Sequence, residues 1–277
     1  VPSVVTPAQL YKAFEASDAK LRTARTRRVE AMREYVGRFY NEDDHKERPM
    51  NLVYRACRVY VGHLAHRSPS YEISTDNPMI RGEAKVLGRI VTNIADELRF
   101  SRMDRLLLLD ALLGPRAKVR CGIKTGSEVI TLEGRDLNPG QWYCRRVSLD
   151  NELLDPRADR PEELAWEGDR YRVSRQALLD SQIFDNSIIE RLPTLPARME
   201  REGVDRGEDL SERKSTNDYE MIDTIELVDT FFYDIGGSGK TVKVTLPSER
   251  ISEEFLREEE FQGPERGPYV WMEFDSL

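Results

Sequence analysis

The stretch Arg145 to Ser181, RRVSLDNELLDPRADRPEELAWEGDRYRVSRQALLDS, constrains the fold more than any other part of the chain. Trp142 to Leu149 predicts a strand, and the acidic, proline-bearing run around Asp155 and Pro156 predicts a turn. A second extended segment passes through Leu164, Trp166 and Tyr171, and Ser174 caps a helix. Strand, turn, strand and helix in this order point to an α+β fold and carry no catalytic signature.

Upstream, Thr6-Pro7-Ala8-Gln9 is a capping box with proline at the first helical position. The apolar positions Leu10, Phe14, Leu21, Val29, Met32, Val36 and Phe39 form one helical stripe, with Arg22, Arg25, Arg27, Arg28 and Arg33 on the other faces. Unbroken to Tyr40, this helix is about 50 Å long at about 1.5 Å per residue. Interleaved Glu30 and Glu34 make the arginines read as a solvated face. The stripe is narrow, so the helix is expected to spend its surface on neighbouring subunits.

Pro49 is placed to open a second helix with Leu52, Ala56, Val59, Tyr60 and Leu64 as its buried stripe. Tyr71 and Ile73 alternate with Glu72 and Ser74 as a short strand. Two helices follow, from Glu83 to Phe100 and from Arg102 to Leu113, with faces Leu87, Ile90, Val91, Ile94, Leu98 and Met103, Leu106, Leu109, Leu112, Leu113. Gly114 and Pro115 end the second. Ala117, Val119, Cys121 and Ile123 mark a half-buried strand that Thr125-Gly126-Ser127 turns into a partner, Glu128 to Leu132.

From Ile188 to Asn217 the chain is dense in both charges and marks a linker or exposed excursion. Beyond it lie strands Tyr219 to Tyr233, Thr241 to Leu246 and Tyr269 to Phe274, with a short acidic helix around Ser252 to Glu260. The organisation expected is a helical arm (1–48), an α+β core (49–190), the charged linker (191–218) and a β-rich region (219–277).

A chain of 277 residues can bury a sizeable core. No apolar run crosses a bilayer, since Leu106 to Leu113 is broken by Asp110, and VPSVVTPAQL is no signal peptide, so synthesis in the cytoplasm is expected. Net charge −8 argues against a protein that coats duplex DNA, whereas an acidic wall would let DNA slide past. Cys57, Cys121 and Cys144 lack any CxxC spacing and read as small buried hydrophobes rather than a disulfide framework or zinc site.

Three groups invite a chemical reading. Gly236-Gly237-Ser238-Gly239-Lys240-Thr241 ends like a P-loop, but Asp234 stands where a glycine is needed and Val242 to Thr245 read as strand. Asp150, Glu152, Asp155 and Asp159 could hold Mg²⁺, or Asp155 could simply cap backbone N–H groups of a turn before Pro156. His63 and His66 share a helical face without a third ligand nearby. No catalytic, cofactor-binding or metal residue is assigned, and no cofactor is expected.

Three segments resemble the portal proteins of tailed bacteriophages. One is Leu153-Leu154-Asp155-Pro156, then Glu162 and Glu163, Trp166 and the helix from Ser174 to Leu179, which is similar to the portal "LxDP" turn, acidic run, aromatic strand and helix. The others are NLVYRACRVYVGHLAHRSPSYEI, a helix running into a Pro-marked strand, and the helix pair ending in RLLLLDALLG before a strand. The resemblance implies a portal-like wing and a non-enzymatic subunit of a homo-oligomeric ring of twelve. That ring sits at the capsid vertex of the virion, assembles in the bacterial cytoplasm and conducts double-stranded DNA during packaging and ejection. Implied partners are the major capsid protein, tail adaptor proteins and the terminase large subunit, with no membrane. Portal proteins continue past a strand like Val270 to Phe274 into stem, clip and crown, so the chain is expected to be a fragment or half of a divided protein, and terminase docking falls on no residue here. A metal- or nucleotide-dependent enzyme acting on nucleic acid, or a smaller head or connector protein, are the alternatives.

Overall fold

The computed structural model describes residues 5–37, 50–65, 71–124, 130–132, 135–137, 140–158, 160–181, 183–194, 223–233, 240–250 and 254–274. The chain is α+β, with antiparallel sheets and a long N-terminal helix, α1 (Pro7–Val36). It divides into one unit of Val1–Val29 with Val147–Gly267 and another of Glu30–Arg146 with Pro268–Leu277. This division differs from the four regions read in the sequence, because the first turns of α1 belong with a sheet formed far downstream. The Gly236 loop and most of the charged excursion lie outside the described residues.

The first unit is built on a five-stranded antiparallel sheet of neighbouring strands β5 (Glu152–Leu154), β6 (Trp166–Ser174), β7 (Thr224–Phe232), β8 (Val242–Pro247) and β9 (Arg257–Glu260). On one face, Leu10, Tyr11 and Phe14 of α1 pack against Leu153, Trp166, Val228, Val244 and Leu246. On the other, Leu178 of α5 (Arg175–Ser181) and Ile189 of α6 (Asn186–Arg191) pack against Ile225 and Leu227. Cover on both sides explains why β7 is buried along almost its whole length.

Two expectations are corrected here. The first part of α1 packs on its own chain's sheet rather than being left for neighbours. Its buried stripe is Leu10, Phe14, Ser17, Leu21, Arg25 and Arg28, with polar hydrogen bonds completing what the apolar residues begin, while Met32 and Val36 are exposed. The acidic helix expected around Ser252 to Glu260 ends instead as strand β9, paired with β8. The open edge of β8 supplies backbone partners, and Lys243 and Lys240 lie 3.5 Å and 2.9 Å from Glu259 and Glu260, which overrides the helical preference of glutamate.

The second unit holds α2 (Leu52–Leu64), α3 (Arg81–Glu97) and α4 (Phe100–Leu113), then β1 (Arg116–Lys124), a small hairpin β2 (Ile130–Leu132) and β3 (Arg135–Leu137), β4 (Gln141–Val147) and β10 (Tyr269–Glu273). The sheet order is β10-β1-β4, so β1 is the central strand. Leu107 and Ala111 of α4 pack on Ala117 and Val119, with Met103, Cys121, Cys144 and Met272 around them.

Here the elements match the pattern better than their faces do. The partner expected for β1 from Glu128 to Leu132 pairs with β3 instead, and β10 takes one edge of β1. Residues 71–75 carry no strand pairing; they lie against α3 where Gly88 leaves room, a Cβ there standing 3.1 Å from the Tyr71 carbonyl oxygen. Asn51 caps α2 by accepting from the Tyr54 N–H at 2.8 Å; Pro49 lies outside the described residues. In α4 the buried residues are Leu107, Leu108, Ala111 and, as expected, Leu113, while Leu106 is exposed. Gly114 ends that helix with extended backbone, φ −121°, rather than left-handed. Lys118 and Arg120 are buried, so β1 is covered on both faces; Lys118 Nζ stands 3.9 Å from the centre of the Tyr269 ring. On β10, Tyr269 is the buried residue and Val270 is exposed.

Candidate functional site

The turn at Leu153 to Pro156 is tied down by α1. Ser17 Oγ accepts from the Leu154 N–H at 2.9 Å, and Lys20 Nζ donates to the carbonyls of Pro156 and Ala158. Arg25 donates Nε to the Leu149 carbonyl at 3.1 Å, Nη2 to the Glu152 carbonyl at 2.9 Å and Nη1 to Asp18 at 2.8 Å. Arg28 Nη1 donates to Asp150 Oδ2 at 2.9 Å, and Arg170 clamps Asp18 with two bonds. Burial pushes the Asp18 carboxyl up, but the hydrogen bonds and charges of Arg170 and Arg25 together outweigh it and hold the group below the usual aspartate range.

Of the four carboxylates singled out by sequence, the three that lie among the described residues do not converge. Asp150 faces Arg28, and Asp155 Oδ1 accepts from the Arg157 N–H at 3.0 Å, the local turn cap. Glu152 sits buried on β5, and Asp159 lies outside the described residues. The structure instead lines up a row that the sequence did not reveal. Glu152 is opposite Asp169, Asp169 is opposite Asp229, and Asp229 is opposite Thr245, one residue on each of β5, β6, β7 and β8, all buried. The signal was hidden because cross-strand register, not spacing along the chain, joins them.

Carboxylates from separate strands are what metal-assisted phosphodiester chemistry uses. The donors around this row give it another occupation. Asp229 accepts from the Thr245 hydroxyl at 2.7 Å and the Tyr171 hydroxyl at 3.0 Å, with Lys243 Nζ at 3.5 Å. Glu167 accepts a short hydrogen bond from Tyr233, whose hydroxyl is pushed well above the usual tyrosine range by burial first and then by the Glu167 charge. Among the described residues no group of three or more histidines, cysteines and carboxylates is placed to hold a metal ion. The Gly236 loop lies outside those residues, but the chain leaves it as strand β8, and Lys240 pairs with Glu260 at 2.9 Å. His63 is exposed on α2, and His66 lies outside the described residues.

The second unit exposes apolar side chains on α2 and α3. Leu52, Val59, Tyr60 and Leu64 of α2, the stripe expected to be buried, are 51–66% exposed, and Leu87 and Ile90 of α3 are about half exposed. Cys57 is the buried residue within α2. These exposed apolar residues recur at helical spacing on each helix. Beside residues 71–75, an open groove of about 700 Å³ is edged by Arg81, Lys85 and Arg89, one helical turn apart along α3. No helix among the described residues is long and apolar enough to cross a membrane.

Family models give no match for this chain, and neither do curated proteins.

Proposed function

We propose that the chain is a structural subunit of a phage portal ring, a conduit for double-stranded DNA at the capsid vertex and a platform for head-tail joining. The observation that carries the reading is the apolar residues exposed at helical spacing on α2 and on α3, which offer apolar contact area to another subunit. The resemblance through the Leu153 to Pro156 turn names the kind of assembly. The tight fastening of that turn by α1 suits a part that bears load rather than one that turns over substrate. In this reading the closed ring has twelve subunits and contacts the major capsid protein and tail adaptors.

Native mass spectrometry over a range of concentration and ionic strength tests it. Contacts through apolar faces persist as salt rises, whereas contacts between exposed charges weaken. A chain that stays monomeric at every concentration and salt removes the ring.

The alternative reading, a metal-dependent enzyme acting on nucleic acid, would draw on the buried carboxylates Glu152, Asp169 and Asp229, although Asp229 already accepts from Thr245 and Tyr171 and the row forms no metal-holding group. Calorimetric binding of Mg²⁺ or Mn²⁺ that vanishes in Asp169→Asn, together with cleavage of DNA or RNA, would replace the structural reading with the enzymatic one.

A further inference from the structure

Two thiols that lie 23 positions apart in sequence meet on neighbouring strands of the second unit. Cys121 on β1 and Cys144 on β4 have their Sγ atoms 3.0 Å apart, about 1 Å beyond the ~2.05 Å of a formed disulfide. Both are free and partly exposed, whereas the remaining cysteine, Cys57, is buried on α2. The strands on which they sit share a packed core with Leu107 and Ala111, so their positions are held by the sheet rather than by loops. Among the described residues no cluster of three metal-ligating side chains is present, so the pair is not part of a recognisable zinc site.

We propose that Cys121 and Cys144 are a site of reversible oxidative modification, which a two-electron oxidant of the small-molecule disulfide class closes into an intrachain bond. One cysteine sulfur loses its proton, attacks the reagent disulfide and releases one reagent thiolate, leaving a mixed disulfide. The second cysteine sulfur, losing its proton, attacks the protein-side sulfur and releases the other. Two S–H bonds and the reagent S–S bond are exchanged for one protein S–S bond and two reagent thiols, which take up both protons. The two cysteines are oxidised and the reagent is reduced by the same two electrons. Only short side-chain movement is needed, because the sulfurs already face each other.

The surroundings set the pace of closure. Burial first, then the hydrogen bond and charge of Cys144, push the Cys121 thiol up to about 12. Little Cys121 thiolate exists near neutrality, so the step in which Cys121 attacks is slow there and speeds up roughly tenfold per pH unit. The proposal is independent of the ring, since both cysteines lie in one chain.

The test uses the whole chain. Protein is incubated with oxidised glutathione at about pH 8.5, near the pKa of an unperturbed thiol. It is then quenched in acid, alkylated under denaturing conditions and digested without reductant. The expected product is a peptide pair joined through Cys121 and Cys144, lighter than its two free peptides by two hydrogens, reversed by dithiothreitol, with Cys57 alkylated. Stable separate glutathione adducts on Cys121 and Cys144, cross-links through Cys57 or between chains, or full alkylation of both thiols would each overturn the proposal. In Cys144→Ala, Cys121 should stop at the mixed disulfide; a cross-link from Cys121 to another residue there would also overturn it.

Discussion

Arg170 on β6 holds Asp18 on α1 with both arms of its guanidinium, Nη1 to Oδ1 at 2.9 Å and Nη2 to Oδ2 at 2.6 Å. Arg25 shares the same carboxylate, so one partly exposed aspartate pairs with two buried arginines. Asp18→Asn leaves both cations without their counter-charge and should cost roughly 2–3 kcal/mol, reduced from the fully buried case by the solvent access of Asp18. The sign with pH comes from a folded pKa below the unfolded one. The contribution is fully present above the ordinary aspartate value of about 3.9 and is lost as pH falls through the lower folded value. Urea midpoints measured from neutral to strongly acidic pH should show this loss in the native chain and a shallower acid dependence in Asp18→Asn.

Glycine substitutions should have opposite signs in the two units. A Cβ on Gly168 would sit 2.5 Å from the Asp229 carbonyl oxygen, within the paired core of β6 and β7, so Gly168→Ala should destabilise by about 2 kcal/mol or more. At Gly62 on α2 nothing lies within 4 Å, and Gly62→Ala should stabilise by about 0.5–1 kcal/mol through helix propensity. Thermal melts of the two variants decide both signs.

Arg175 gathers the end of α6. Its Nη2 donates to the Leu192 carbonyl at 2.7 Å and to Thr194 Oγ1 at 3.1 Å, Nη1 donates a short bond to the Ile189 carbonyl, and Nε donates to Asp223 at 2.5 Å. Arg175→Ala should cost about 2–3 kcal/mol, because several acceptors lose one fork-shaped donor. Arg175→Lys should recover little of it, since an ammonium cannot span that set. Hydrogen exchange would locate the loss in α5 and α6.

Charges placed on the exposed stripe should separate assembly from folding. In Val59→Glu with Ile90→Glu, both residues about half exposed, the folded monomer should keep its stability to within about 0.5 kcal/mol. Association through that face should disappear in native mass spectrometry. A double variant that still assembles fully would move the interface elsewhere.

The elements were largely legible in the sequence. The capping box at Thr6 and Gln9 forms as expected, and the boundaries of α3, α4, β1 and β8 agree with the periodicity to within a few residues. Faces and partners were less legible. The Leu52, Val59, Tyr60 and Leu64 stripe is periodic, yet periodicity states only that a face is apolar, not that the same chain covers it. Arg25 and Arg28 were read as solvated because charge alone suggests water. Their place in the series 10, 14, 17, 21, 25, 28 was the available sign that they continue the buried stripe. The meeting of Asp169 with Asp229, and of Cys121 with Cys144, depends on which strands lie side by side, which no local pattern carries.

The fastening of α1 also has a cost in time. Tyr11 donates its hydroxyl to the Pro247 carbonyl at 2.9 Å across 236 positions of chain, and Ser17 meets Leu154 across 137. At about 5–20 residues per second of synthesis, Tyr11 leaves the ribosome roughly 10–50 s before its partner exists. During that interval Leu10, Phe14 and Leu21 have no sheet to cover them, so the nascent helix is a natural client for a chaperone that shields short apolar stripes. The sheet unit can close only after β8 has been made, so a chain that ends before Val242 leaves its first helix without the part of its cover that Val242, Val244 and Leu246 supply.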